Sequence, residues 1–376
     1  MTEDPRFLAD QLITCIGNKR ALLPLLEAAV RHVAADLGQD RLVAFDAFSG
    51  SGVVARLLKR YSHALHVNDL ERYAEVASRC HLTNRSAIDP EALAACHDAL
   101  TAQLREDALR PGMFAALYSP RDEQAIQPGE RVFYTPRNAA YLDTARAAIA
   151  EAPEPLRDLF LGPLLAAASV HVNTAGVFKG FYKDKRTGVG RFGGSREHAL
   201  GRIKGAIRLE LPVLSRFDSC VTVHRGDANA VARTVGPLDL AYLDPPYNQH
   251  PYGANYFMLN LLADHRPPLD PSRVSGIPAD WNRSAYNVRR HCAERLADLV
   301  EGLAARWVLV SYSSEGFIRP DEMLALLGRF GRTFVQETRY NTFRGCRNLA
   351  ARERHVKEYL FLLRKAPRTR DRPAQA

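Results

Sequence analysis

Leu22, Leu25, Leu26, Ala29, Val30, Val33 and Leu37 recur at helical spacing and stop before Gly38, so the pattern predicts an amphipathic helix ending on a glycine cap. The period then changes. An apolar run over residues 42–45 ends in Asp46 and a turn of small residues. Helical spacing returns at Val53, Val54, Leu57 and Leu58, and a second apolar run over 64–67 ends in Asn68 and Asp69. This strand, turn, helix, strand order argues for a doubly wound α/β fold, with a parallel sheet covered on both faces and ligands gathering at the carboxyl ends of its strands. Asp46 and Asp69 both fall at such ends.

Strand signals weaken after residue 86. Helical stretches over 90–104, 139–152 and 156–168 lead into a glycine-rich basic segment, which predicts a mostly helical module inserted over 87–208. Strand-like runs resume at 220–224, 238–243, 308–312, 333–337 and 359–363, so residues 1–86 and 209–364 read as two parts of one core domain. The stretch 265–281 is a proline-rich loop, and 365–376 is a basic tail too polar to pack.

Composition narrows the class. With 46% hydrophobic and 25% charged residues the chain has the make-up of a globular protein, and disorder is excluded as its main state. No segment approaches the ~18 uninterrupted apolar residues of a membrane span, and the first residues lack the basic-then-apolar order of a signal peptide. The expectation is a cytoplasmic protein without membrane attachment. Cys15, Cys80, Cys96, Cys220, Cys292 and Cys346 are widely separated with no CxxC pair, so they read as reduced, mostly packing thiols, and no metal site is expected. A net charge of +9 favours a polyanionic partner.

Two constellations carry chemistry. In Asp46-Ala47-Phe48-Ser49-Gly50-Ser51-Gly52 the glycines let the backbone turn sharply after a strand, at the start of a helix. A glycine-rich turn is by itself equally a plain tight turn, but Asp69 closes the next strand 23 positions after Asp46. That is close to the ~20-residue offset at which a carboxylate meets a ribose diol in nucleotide-binding sheets. The second constellation, Asp244-Pro245-Pro246-Tyr247, directly follows an apolar strand. The prolines remove two N–H donors and stiffen the turn, so the Asp244 carboxylate and nearby carbonyls converge as acceptors on one incoming amino group, with Tyr247 placed to stack on the ring that bears it. A strand followed by a rigid turn would account for the prolines and leave the acid and the aromatic unexplained.

The order Gly17-Asn18-Lys19, Asp46 to Gly52, Asn68-Asp69 and Asp244 to Tyr247 resembles the D12-class, Dam-like adenine-N6 DNA methyltransferases over residues 13–363. The resemblance implies a Rossmann-like methyltransferase sheet with an inserted target-recognition module and S-adenosylmethionine as methyl donor. It implies a cofactor site in which Lys19 contacts the methionine end, Asp46, Phe48, Gly50 and Gly52 line the methionine and ribose neighbourhood, and Asp69 meets the ribose hydroxyls. Gly17 belongs to the same motif, and Asp227, in Gly226-Asp227-Ala228, would lie near the donor adenine. Cys15 is counted in the same implied cofactor site but stands where relatives usually carry an aromatic, so aromatic stacking from that position is not expected. The four catalytic positions would be Asp244, Pro245, Pro246 and Tyr247, holding a flipped adenine.

The charge is local. Between Lys179 and Arg208 stand nine basic and two acidic residues, net +7, interleaved with five glycines from Gly188 to Gly201 and with Phe178, Phe181, Tyr182 and Phe192. This suits a hairpin or loop that lies on phosphates and inserts side chains into a groove of double-stranded DNA. Lys179, Lys183, Lys185, Arg186, Arg191 and Arg196 are its candidate contacts, with Asn173 just before them. The segment 248–260, with Tyr252, Asn255 and Tyr256, is expected to border the flipped-base pocket or to begin a packed helix. The overall expectation is a site-specific methyltransferase with duplex DNA as substrate and a cognate restriction endonuclease as functional partner. Two other readings keep the same residues: an RNA base methyltransferase of this fold, and a nucleic-acid-binding relative without catalysis.

Overall fold

The computed structural model describes residues 2–341 and 355–367. Cys346 and the tail residues Arg368, Arg370 and Arg372 lie outside the described residues. Two compact units interleave along the chain: one comprises Lys19–Leu70, Phe217–Pro251 and Arg283–Ala376, the other Met1–Asn18, Glu71–Arg216 and Tyr252–Asn282.

The first unit carries a seven-stranded sheet of order β3-β2-β1-β4-β5-β7-β6. Its strands are β1 (Leu42–Asp46), β2 (Ser62–Asp69), β3 (Cys220–Arg225), β4 (Leu238–Leu243), β5 (Ala305–Ser313), β6 (Gly331–Asn341) and β7 (His355–Lys365). All seven predicted runs are strands. Strands β1 to β5 pair in parallel, but β7 runs antiparallel to both β5 and β6, so the sheet is mixed where a parallel one was expected. An apolar run reveals burial and not direction, and a reversed strand within an otherwise parallel sheet is common. The helix Leu23–Leu37 closes on Gly38 at φ 64°, whose N–H meets the Ala34 and Ala35 carbonyls, as the spacing predicts. It buries Leu26, Ala29, Val30 and Val33.

The sheet topology positions the two motifs. Strand β2 lies on one side of β1 and β4 on the other, so the order reverses between β1 and β4, where sheets of this kind leave a crevice at the strand ends. Asp46 stands opposite Tyr242 in that pairing, so the glycine loop after β1 and the Asp244 turn after β4 leave the sheet side by side.

The second unit is helical, with Pro90–Ala102, Pro136–Glu151 and Glu154–Val170 close to their predicted places. It is larger than the predicted insert. It takes in Arg72–His81, whose Tyr73, Val76 and Cys80 join a core with Phe160, Leu161 and Leu164, and Tyr252–Asn282, whose Tyr256, Phe257 and Leu261 join the same core. The first residues also belong to it: Gln11 Oε1 accepts from Val213 N at 2.9 Å. Composition marks where strand signals stop, whereas these additions are tertiary contacts between distant segments. No helix among the described residues is long and apolar enough to cross a membrane. Cys15, Cys80, Cys96, Cys220 and Cys292 are all free thiols, and of these only Cys220 is exposed.

Candidate active site

The loop after β1 is held by the ends of its neighbours. Ser49 N donates to the Asn68 carbonyl at 2.9 Å, Gly50 N to Asp69 Oδ2 at 2.8 Å and Gly52 N to the Ser49 carbonyl at 2.7 Å. Asn68 Nδ2 donates to the carbonyls of Ala47 and Gly226, which ties the ends of β1, β2 and β3 together. Gly50 and Gly52 adopt φ 51° and 78°, a left-handed backbone that side chains disfavour. A Cβ at Gly52 would meet nothing within 4 Å, so conformation rather than crowding requires glycine there. The helix Val53–Tyr61 starts immediately afterwards.

Asp46 is wholly buried. Its Oδ1 accepts from Phe48 N at 3.3 Å, while Oδ2 is buried with no hydrogen-bond partner. Burial, with the carboxylates of Asp244 and Asp69 nearby, raises the Asp46 carboxyl well above its ordinary range. An orphaned carboxylate oxygen at the end of β1 is costly alone and suits a cationic ligand group.

Asp244 follows β4 and is partly buried. Lys19 Nζ lies 2.9 Å from Asp244 Oδ1 and 3.3 Å from Glu358 Oε1, with the Lys19 and Glu358 side chains only 5% and 7% exposed. Among the described residues no hydrogen bond or ion pair reaches Asp244 Oδ2. Burial would lower the Lys19 ammonium, but the two carboxylates outweigh it and hold it well above the usual lysine range. Burial raises the Asp244 carboxyl to about 6, with Lys19 opposing the rise and Glu358 adding to it. Pro245 and Pro246 extend the chain to Tyr247, whose ring meets Tyr312 edge-on at 6.1 Å and whose carbonyl accepts from Phe317 N. Burial pushes the Tyr247 hydroxyl up to about 12, so it remains protonated at neutral pH.

Asp227 follows β3. It caps the helix Ala228–Ala232 through Asn229 N and Ala230 N and is paired with Arg295 at 2.9 Å. The Phe48 ring packs edge-on against Tyr286 at 5.3 Å, and the Tyr286 hydroxyl donates to Asn229 Oδ1 at 2.8 Å. Lys19, Asp46, Phe48, Gly50, Gly52, Asp69, Asp227 and the Asp244 to Tyr247 turn therefore all belong to the sheet unit.

Cys15 and Gly17 belong to the helical unit. The peptide before Gly17 is gripped from both sides: Ile16 N donates to the Tyr256 hydroxyl at 2.7 Å, and Ile16 O accepts from the Tyr252 hydroxyl at 3.0 Å. Of the two expectations for residues 248–260, packing describes these tyrosines, for Tyr256 is fully buried. No local pattern announces a contact across 236 and 240 positions.

The basic segment forms a hairpin with Lys183 bridged to Gly190 and a turn in which Asp184 Oδ1 accepts from Arg186 N and Thr187 N. Lys179, Lys183, Lys185, Arg186, Arg191 and Arg196 are exposed on it. Two expectations are corrected. Phe178, Phe181 and Phe192 are buried in the core of this unit, so they anchor the hairpin from below instead of entering a groove. Asn173 is also fully buried: Nδ2 donates to the Val132 and Arg191 carbonyls and Oδ1 accepts from Gly193 N at 2.9 Å. Its amide ties the hairpin base to the core and does not face outward. Arg191 is ion-paired with Glu197 at 2.8 Å and lies 3.8 Å from Asp184.

The residue that sequence reasoning missed is Glu358. Its only signal is a charge at the head of an apolar strand run, where a solvated strand end is the ordinary reading.

Comparison with known proteins adds four findings. The family model described as D12 class N6 adenine-specific DNA methyltransferase matches residues 16–268. The Type II methyltransferase M.CviAII of Paramecium bursaria Chlorella virus 1 is 28% identical over 326 residues, covering 85% of this chain and 89% of that protein. The Type II methyltransferase M.NlaIII of Neisseria lactamica is 27% identical over 359 residues, covering 93% of this chain and 98% of that protein. The Modification methylase StsI of Streptococcus sanguinis is 24% identical over 94% of this chain, which spans 52% of that protein.

Proposed function

Because the chain belongs to the D12 class of N6 adenine-specific DNA methyltransferases, we propose that Asp244 and the turn after it bind the amino group of an adenine turned out of duplex DNA and direct it at a methyl donor held over the ends of β1 and β2. The observation that carries this reading is the Asp244 carboxylate, fixed at one oxygen by Lys19 and reached at the other by no hydrogen bond from the described residues.

The amino group of adenine is a poor nucleophile because its lone pair is delocalised into the ring. Asp244 Oδ2 and the Pro245 carbonyl, accepting its two N–H bonds, favour a pyramidal nitrogen and return the lone pair for attack. Tyr247 supplies a face on which the purine stacks. The base must leave the helix because its amino group cannot be reached inside the stack. S-adenosylmethionine, the donor this family implies, supplies an electrophilic methyl group on a sulfonium sulfur. Transfer of that methyl to the amino nitrogen would break the S–C bond and leave the donor a neutral thioether. The nitrogen, now cationic, releases a proton that Asp244, at about 6, is basic enough to receive.

The donor site fits the residues present. Asp46 Oδ2, buried and unpartnered, suits the amino group of the donor's methionine part, and Asp69 stands at the strand end where a ribose diol would be held. Phe48, Gly50 and Gly52 form the loop between them. Asp227 and Lys19 complete the proposed set, Asp227 on the adenine side and Lys19 through its pairing with Asp244. Gly17 adopts φ 79°, and Cys15 offers no ring to stack. The exposed cations Lys179, Lys183, Lys185, Arg186, Arg191 and Arg196 would lie on the DNA phosphates. Two of the named relatives are type II methyltransferases and the third is a modification methylase, which supports a modification enzyme paired with a restriction endonuclease.

The test is transfer of labelled methyl from S-adenosylmethionine to duplex DNA and, separately, to structured RNA, with the product base identified. Label in N6-methyladenine of DNA is expected, and Asp244→Ala should abolish it while leaving donor binding by calorimetry largely intact. A fully active Asp244→Ala enzyme would sink the mechanism, and label in RNA alone would reassign the substrate.

A further inference from the structure

Glu358 lies on β7, opposite Ser313 on β5 and Thr338 on β6. The strand continues as Tyr359, Leu360, Phe361, Leu362 and Leu363, so a carboxylate here sits at the edge of an apolar layer. Burying a charge in such a place is costly unless geometry compensates it. The compensation is specific: Glu358 Oε1 accepts from Ser311 Oγ at 3.2 Å and lies 3.3 Å from Lys19 Nζ, whose other carboxylate partner is Asp244 at 2.9 Å.

We propose that Glu358 is a positioning residue for methyl transfer: it anchors the Lys19 ammonium so that Lys19 fixes one oxygen of Asp244 and leaves the other for the amino group of the target base. The inference rests on the reading of Asp244 given above. A lysine ammonium on a four-carbon stem pivots freely against a single carboxylate. Carboxylates from two elements, the end of β4 and β7, pin it in place, and Ser311 on β5 fixes the second of them. Charge adds to geometry. Lys19 alone would neutralise Asp244 in a tight pair, whereas a cation shared with Glu358 leaves net negative charge on the cluster and keeps Asp244 a stronger acceptor. The groups facing Asp244 are Lys19 from the segment before the first long helix, Glu358 from β7, Asp46 from β1, and the neutral hydroxyls of Tyr242 and Tyr247.

The experiment compares Glu358→Gln, Glu358→Asp and Asp244→Ala in the full chain with duplex DNA and S-adenosylmethionine, reading kcat, both KM values, the pH dependence of kcat/KM and thermal unfolding. Glu358→Gln should lower kcat roughly 10- to 100-fold with little change in either KM, the scale of loss that a small misplacement of a reacting group produces. The acid limb of its pH profile should move to lower pH, because a like charge beside Asp244 has gone. Glu358→Asp keeps the charge but retreats by one methylene, and should recover part of kcat. A Glu358→Gln enzyme with wild-type kcat and an unmoved acid limb overturns the inference, as does one that merely unfolds earlier with the limb unmoved. If Glu358→Gln does not fold, wild-type kcat in Glu358→Asp overturns it equally. Failure of the underlying reading looks different, since Asp244→Ala would then remain active.

Discussion

In the proposed mechanism Asp244 accepts N–H bonds as a carboxylate, and its carboxyl is raised to about 6, so activity should be lost as the pH falls through that value and retained above it. A bell-shaped or sigmoidal profile of kcat/KM with an acid limb near 6 is the expected measurement, and a limb near the ordinary carboxylate value of 3.8 would contradict the burial argument. Lys19→Met should move that limb the opposite way from Glu358→Gln, to higher pH, because it removes the cation that favours ionised Asp244. It also leaves two buried carboxylates without their counter-charge, a loss of about 3–5 kcal/mol that chemical denaturation would register. At this scale the sequence shows which residue types are present and where strands end. It is silent about Glu358, which lies 114 and 339 positions from the two residues it works with, Asp244 and Lys19.

The glycine loop was legible because its requirements are local. A strand must end, the chain must turn through left-handed φ values at Gly50 and Gly52, and a helix must begin, so the demands fall on adjacent residues that can be read together. The basic hairpin was legible as charge and misread as orientation. Aromatic residues alternating with cations look the same whether they face a groove or a core, and only the packing of Phe133 edge-on against Phe181 at 5.1 Å, with Phe178 and Phe192 in the same core, decides for the core. Asn173 belongs to this element as a fastener. Asn173→Ala should destabilise the protein by about 1–3 kcal/mol in urea denaturation, the scale of leaving buried backbone groups unsatisfied. A variant of unchanged stability that loses DNA affinity would mean instead that Asn173 reaches the nucleic acid.

For the molecule as a whole the +9 charge is chiefly a property of one stretch, residues 179–208, and the exposed cations of its hairpin should act through the phosphate backbone. Replacing Lys183, Lys185 and Arg186 together with glutamine should weaken DNA binding and flatten the plot of log affinity against log salt by roughly 0.9 per lost contact, about 2–3 in all. Fluorescence anisotropy across a salt series would measure it, and an unchanged slope would remove these residues from the interface. Arg191, already paired with Glu197, should contribute less to that slope. The sequence by itself determined the seven strands, the glycine loop, the Asp244 turn and the family, because each is written in contiguous residues whose spacing or order carries the information. Only the tertiary structure decided that β7 is reversed, that the helical unit recruits the first residues together with 71–86 and 252–282, that Tyr252 and Tyr256 grip Ile16, and that Glu358 stands behind Lys19. Each of these joins residues far apart in the chain, and the free energy that selects such a pairing comes from burial and charge compensation that exist only once the chain has folded.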